Sequence, residues 1–283
     1  MTVIGKYNII IIDNDNIKGK AFIRGEDIMV STAKIISMFF PMMFSLVLFI
    51  GLILYFRKKT GIAVKPLIAG TIGFVVMTQV LEKALHLVVI TAFPNYADHP
   101  WAFGLYGGLA AGLFEELGRF LLFTWLLKKF HDYKSGISFG IGWGGIEAVL
   151  LMLTMMVPNI MFAFMINAGT LEKTLAGQMP ADQVAAIKDT VLNNGVSFYL
   201  LACVERFFAV FMQITFSLWV LIAVLKKKFV YVIYIILIHA AIDFPLVFVQ
   251  TGHFTNLWVV ELYIAIVGMI SFWLIKKGRV LLP

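Results

Sequence analysis

The chain has 283 residues, of which 61% are hydrophobic and 14% are charged, and its mean hydropathy is +0.92. Long uncharged runs of this composition exclude a water-soluble globular core and predict an all-α polytopic membrane protein. The formal net charge of +7 does not indicate nucleic-acid binding, because the basic residues lie in short clusters beside apolar runs and do not alternate with aromatic residues.

The chain begins with a polar segment, residues 1–28, which contains the stretches DNDNIKGK and RGED. Its apolar run YNIIIID is too short for the core of a signal peptide. Met29 stands directly before the first long apolar run, so we expect translation to begin naturally there and residues 1–28 to have no function. Residues 29–283 then form a single integral membrane domain.

About seven transmembrane helices are predicted, since each apolar span is long enough to cross a bilayer. Clusters of Lys and Arg follow the first, third, fifth and seventh spans, whereas the loops PNYADHP and QTGHFTN contain neither residue. Basic loops stay in the cytoplasm, so we expect the N-terminus to lie outside and the C-terminus to lie in the cytoplasm. The spans lie near residues 32–56, 66–92, 101–127, 136–165, 196–225, 229–250 and 256–275.

One sizeable segment outside the membrane is predicted, residues 166–195. Pro180 stands at a position typical of the first helical residue, Gly195 at a helix stop, and Val184, Ile187 and Val191 lie on one stripe. This pattern predicts a short amphipathic helix on the outer surface. It is either a passive loop helix or a lid over a site.

Charged residues deep in the predicted spans are the strongest functional signal. Each costs on the order of 2.5–3.5 kcal/mol at the bilayer centre, so seven unpaired charges would cost roughly 20 kcal/mol, more than a typical folding stability of ~5–15 kcal/mol. They must be paired, protonated, hydrated or bound to a cation. The seven residues are Glu115, Glu116, Arg119, Glu147, Glu205, Arg206 and Asp243.

Helix geometry predicts that these charges meet. At about 1.5 Å per residue, Glu115, Glu147 and His239 lie roughly 15–18 Å from the cytoplasmic ends of their spans, and Glu205 lies about 13 Å below its outer end. The i,i+4 spacing of His239 and Asp243 puts both on one helix face. The sequence therefore predicts a polar mid-membrane chamber. Five acids against two arginines leave it at −3, which a divalent cation or shared protons could balance.

Other polar residues are expected to have lesser roles. Glu82, Lys83 and His86 lie toward the outer end of the second span, where interfacial snorkelling is the simpler interpretation. Glu261 lies about one turn into the last span and is also expected to be interfacial. The single cysteine, Cys203, is expected to be a small packing residue.

Glycine-rich runs precede two of the buried glutamates. GISFGIGWGGIEA leads to Glu147 and LYGGLAAG to Glu115. Small residues at such spacing allow helix backbones to approach closely, so we expect the third and fourth spans to pack together here and bring these glutamates together.

Three motifs, EELGR, WGGIE and HAAID, follow in this order on three predicted helices. Together they resemble the glutamate-type intramembrane proteases, a superfamily that includes the type II CAAX prenyl endopeptidases, the bacteriocin-immunity proteins and the PrsW site-1 proteases. Within it the chain looks most like the YhfC group of intramembrane metalloproteases, from about Met29 to the C-terminus.

The motifs depart from the CAAX branch, which has EExxxR, FxxxH and HxxxN. This chain has EExxR, an aromatic-xxx-Glu with Trp143, and HxxxD, and so it is closer to the PrsW pattern of EExxK, FxxxE and HxxxD. The missing histidine of the second motif argues against cleavage of prenylated proteins. It leaves His239 as the one well-placed nitrogen ligand.

The resemblance implies peptide-bond hydrolysis by an activated water. Glu115 would be the general base, and Arg119 would hold Glu116 ionised and orient the pair. His239, positioned by Asp243, would polarise the carbonyl.

A bound Zn²⁺ is the cofactor that the resemblance suggests. His239 and Glu147 would be its ligands, with Glu205 as a further candidate ligand. The partners would be membrane lipid and a transmembrane or lipid-anchored protein substrate.

Two other functions remain open from the sequence. A secondary transporter or proton-coupled channel could use the same carboxylates as a relay, although no internal repeat is visible. A non-cleaving relative could bind helical partners, which the missing histidine favours.

Overall fold

The computed structural model describes residues 29–283, and all regular structure in this part of the chain is helical. The expectation that residues 1–28 have no function falls outside the described residues. The helices are α1 Thr32–Lys59, α2 Val64–Phe74, α3 Lys83–Ala92, α4 Pro100–Leu121, α5 Tyr133–Asn167, α6 Leu171–Leu175, α7 Ala181–Asn193, α8 Val196–Leu225, α9 Phe229–Asp243, α10 Leu246–Gln250 and α11 Leu257–Leu281.

Six helical segments between residues 29 and 283 are long and apolar enough to cross a membrane: α1, Val64–Ala92, α5, α8, Phe229–Gln250 and α11. They match six of the predicted spans. The remaining predicted span is the third, which is α4; it is helical as expected but contains Glu115, Glu116 and Arg119 and is therefore less apolar. The predicted all-α polytopic membrane fold is confirmed.

Three of the long helices are irregular. A π-helical segment, Val75–Glu82, joins α2 to α3, and a second one, Leu122–Leu126, extends α4. The sixth predicted span is divided by Pro245, which has no N–H to continue the helical ladder, so that α9 ends at Asp243 and α10 begins at Leu246. Asp243 consequently lies at a helix terminus inside the bundle.

Hydrogen bonds identify which loops share an end of the bundle. The backbone N–H of Tyr133 donates to the carbonyl of Pro283 at 3.0 Å, which joins the basic loop after α4 to the C-terminus. At the opposite end, the side chain of Asn167 bonds the backbone of Val30 at 2.7 and 2.9 Å. The start of α1 and the segment 166–195 therefore lie together, away from these basic loops.

The segment 166–195 contains the predicted amphipathic helix as α7. Val184 and Val191 are buried in an apolar cluster, as the stripe predicted, while Pro180 precedes the first helical residue instead of occupying it. On the exposed side of the segment, Lys188 Nζ donates to Glu172 Oε1 at 2.5 Å, and this hydrogen bond lowers the pKa of the Glu172 carboxyl. The helix is therefore docked on the bundle through its apolar stripe.

Glycines of α4 allow a close approach to another helix, but that helix is not the one that the sequence predicted. A Cβ on Gly108 would lie 2.5 Å from the carbonyl oxygen of Ala240, and one on Gly112 would be nearly as close to the backbone of α9. Gly144 of α5 instead packs on α8. The expectation that the third and fourth spans pack through their glycines is wrong, because α4 packs closely on α9.

Candidate active site

The predicted polar chamber is present, and the elements that form it are α4, α5, α8 and α9. All of its ionisable side chains are 3% exposed or less, so lipid and solvent are excluded from them. Burial of this many charges requires specific partners for them. The side chains concerned are Glu115, Glu116, Arg119, Glu147, Glu205, Arg206, His239 and Asp243.

Arg119 is the centre of a first cluster. Its Nη1 donates to Glu116 Oε1 at 2.5 Å, its Nη2 to Glu115 Oε2 at 3.1 Å, and its Nε to Ser217 Oγ at 3.3 Å. Nη2 also donates to the side-chain oxygen of Gln213. The guanidinium thus ties both glutamates of the EELGR motif to α8.

Glu115 is fixed by donors from three helices. Besides Arg119, the indole N–H of Trp143 donates to Glu115 Oε2 at 3.1 Å and Gln213 Nε2 donates at 3.0 Å. The Arg119 guanidinium lies 4.5 Å from the Trp143 ring centroid, a cation–π arrangement. The aromatic residue of the second motif therefore orients the first glutamate of the first motif.

His239 lies between two carboxylates. Its Nδ1 is 2.6 Å from Glu116 Oε1, and its Nε2 is 3.6 Å from Asp243 Oδ2. The ring stacks on Phe216 with 4.5 Å between centroids and 9° between planes. Both ring nitrogens consequently face acidic oxygens of the protein.

A second cluster is built around Arg206. Nη1 donates to Glu147 Oε1 at 3.3 Å and Nη2 to Glu205 Oε1 at 2.7 Å. Gln213 Nε2 donates to Glu147 Oε2 at 2.5 Å and so joins this cluster to Glu115. Because one nitrogen bonds both oxygens, the Glu115 and Glu147 oxygens are at most 5.5 Å apart.

Gln213 is the residue that sequence reasoning missed. It is the one amide in the apolar run VFMQITFSLW and stands seven residues after Arg206, so it lies on the same face of α8. Its place on the charged face of α8 is the signal in the sequence, although the side chain is not ionisable.

Two expectations for peripheral residues are corrected by burial. Glu261 is only 8% exposed and lies close enough to Glu205 and Arg206 to interact electrostatically with them, so it is not interfacial. Glu82 and His86 are buried as well, and His86 Nε2 lies 3.1 Å from Glu82 Oε1. Glu82 and Glu261 are therefore buried in the protein and do not snorkel.

A cavity of about 20 Å³ lies beside the two clusters, which is room for a single water molecule. Glu115 does not line it and is joined to it through Gln213. The polar and ionisable side chains of the wall are Glu147, Glu205, Arg206, Gln213, His239, Asp243 and Tyr263.

The predicted metal ligands Glu147, Glu205 and His239 line this same cavity, yet they do not form a metal site as they stand. No group of three His, Cys, Asp or Glu side chains among residues 29–283 is placed to hold a metal ion. The Arg206 guanidinium occupies the space between the two glutamates, and the imidazole is bounded by acids. The donor set therefore does not fit a metal in this arrangement.

The fold and the site define a class, a polytopic membrane protein with two linked clusters of buried acids and arginines. The sequence profile of the YhfC intramembrane metalloprotease family matches residues 44–264, and the chain belongs to that family. The uncharacterized membrane protein YhfC of Bacillus subtilis strain 168 is similar, with 34% identity over 235 residues, 82% of this chain and 91% of the relative. No solved structure matches the chain. The resemblance to the YhfC group is confirmed, and the family's name suggests a metal.

Proposed function

We propose that the protein is an intramembrane protease that hydrolyses a peptide bond of a membrane-embedded or lipid-anchored protein. The observation that supports this most directly is the Glu115–Glu147 pair, whose oxygens are at most 5.5 Å apart across the Gln213 amide. A water at that point could hydrogen-bond both carboxylates at about 2.8 Å. A water held between two buried carboxylates is suited to deprotonation and attack.

In the proposed reaction the water takes the point now filled by the Gln213 nitrogen. Glu115 accepts its proton, and Glu147 fixes the second hydrogen. Trp143 and Arg119 hold Glu115 in position through their N–H groups. The substrate carbonyl lies in the adjacent water-sized cavity, so the peptide must be unwound there.

The family's name suggests a metal, and Glu147, His239 and Glu205 are the residues that would hold Zn²⁺. When bound, a metal would supply Lewis-acid activation of water. The donor set does not fit it as described above, and no step of the proposed reaction is routed through it.

The orientation is a further part of the proposal. We place the protein in the bacterial inner membrane with its N-terminus outside and its C-terminus in the cytoplasm. Basic residues form the last turn of α1, and further basic residues lie where the loop after α4 meets the C-terminus. Basic ends of this kind stay in the cytoplasm. Reporter fusions after Lys59, Lys134, Lys228 and Gly278 should read as cytoplasmic, and a fusion near Asp182 as outside. A cytoplasmic signal at Asp182 would contradict this topology.

The test of the activity is cleavage of a single-span reporter protein in vesicles containing the purified protein. Glu115→Gln retains shape and hydrogen-bonding capacity but cannot accept the proton, so the rate should fall by about 10²–10⁴-fold. The matched control is Glu172→Gln, the same change at an exposed outer residue, which should leave the rate unchanged.

Three outcomes would argue against the proposal. Cleavage by Glu115→Gln at the parent rate would show that Glu115 is not the base. Proton uptake by vesicles that is lost in Glu115→Gln, without any cleavage by the parent protein, would indicate a proton-coupled transporter or channel. Capture of the reporter without cleavage or proton uptake would indicate a binding protein.

A further inference from the structure

We propose that Arg206 is a catalytic residue, whose guanidinium stabilises the oxyanion formed when water adds to the substrate carbonyl. It would supply the positive charge that a metal ion supplies in a metalloprotease. This inference rests on the proposed function and names a residue for which no motif of the sequence predicts a role.

Arg206 is held in a fixed position inside the bundle. Two carboxylates fix its terminal nitrogens, Glu147 at 3.3 Å from Nη1 and Glu205 at 2.7 Å from Nη2. The side chain is 1% exposed, and its Nε–H has no hydrogen-bond partner in the described part of the chain. A buried donor without a partner is destabilising and requires an explanation, and a catalytic role is one such explanation.

The other side-chain donors of the cavity wall are already engaged. Both nitrogens of His239 face carboxylates, and Gln213 Nε2 donates to two of them. The Tyr263 hydroxyl donates to the backbone carbonyl of Ile242 at 3.0 Å. Among these side chains, Arg206 is left to offer an N–H to an atom that enters the cavity.

The reaction places a new negative charge in the cavity. Addition of water forms a C–O bond, the π pair of the carbonyl moves to its oxygen, and the water proton goes to Glu115. The oxyanion would develop beside carboxylates in a site without solvent, where an uncompensated negative charge is strongly disfavoured. Arg206 offers a fixed cation that needs no reorganisation. When the intermediate collapses, the C–N bond breaks and the leaving amine takes the proton from Glu115.

The decisive variant is Arg206→Lys, which keeps a cation between Glu147 and Glu205 but lacks the Nε–H of the guanidinium. We expect kcat to fall by about 10²–10³-fold, the usual cost of one oxyanion donor, while KM for the vesicle reporter changes by less than about threefold. The matched control is Arg57→Lys at the exposed end of α1, which should leave both constants unchanged. Melting temperatures of both variants separate loss of chemistry from loss of fold.

Arg206→Gly provides the second test, because added guanidinium ion should restore part of the rate if the missing group acts chemically. Metal dependence is tested on the parent protein. After treatment with a chelator, the parent protein should keep its cleavage rate within about twofold. Elemental analysis should find less than one zinc per chain.

Parent-like kcat in Arg206→Lys would overturn the inference, and so would activity that chelation abolishes and zinc restores. If Glu115→Gln abolishes cleavage while Arg206→Lys does not, the inference fails and the proposed function stands. If neither variant changes the rate, both fail.

Discussion

Arg119→Ala should be among the most destabilising single substitutions in this protein. Arg119 is fully buried and donates to Glu115, Glu116, Gln213 and Ser217. Removing one partner of a buried ion pair costs about 3–5 kcal/mol, because the remaining carboxylate is left uncompensated. The lost cation–π contact with the neighbouring tryptophan adds up to about 2 kcal/mol. We expect a loss near 5 kcal/mol.

Thermal unfolding in detergent, followed by tryptophan fluorescence, measures this cost. At roughly 2–4 °C per kcal/mol, the melting temperature should fall by roughly 10–20 °C. Arg57→Ala removes the same group at an exposed position and should change stability by about 0.5 kcal/mol or less. Replacing the pair with apolar and neutral groups, in Arg119→Met with Glu116→Gln, should recover much of the loss. A shift of Arg119→Ala no larger than that of Arg57→Ala would refute the reasoning.

Two further variants test the contacts that place Glu115. Gln213→Ala removes the bridge between Glu115 and Glu147 and should cost about 1–3 kcal/mol of stability in the same melting assay. Unlike Glu115→Gln, this variant should still cleave the reporter. Loss of all cleavage would contradict the site proposed for the water. Gly108→Ala would put a Cβ 2.5 Å from the Ala240 carbonyl oxygen and should lower both the melting temperature and the activity. In the control Gly51→Ala nothing lies within 4 Å of the new Cβ, so this change should be neutral or stabilising by up to about 1 kcal/mol. Equal effects of the two changes would show that α4 and α9 are not in close contact.

The sequence by itself determined the membrane class, the seven long helices and the meeting of the charges. Hydrocarbon forces each backbone polar group to bond within its own helix, so span length and apolar composition suffice to locate helices. The high cost of an isolated charge in lipid explains why Glu115, Glu147 and His239 could be expected to converge without knowledge of any contact. The three motifs that identified the family contain these costly charged residues, so they stand out from the apolar spans around them.

Only the tertiary structure decided which helices touch and which groups pair. Glycine spacing marks a helix for close packing but does not name its neighbour, so α4 was assigned to α5 and lies on α9. Likewise, depth counting could not show that Arg206 lies between Glu147 and Glu205, or that neutral Gln213 joins the two clusters. Depth along a helix is a property of one segment, whereas pairing depends on the rotation of each helix about its axis relative to its neighbours. That rotation is set by packing over whole helix faces, which no short motif encodes.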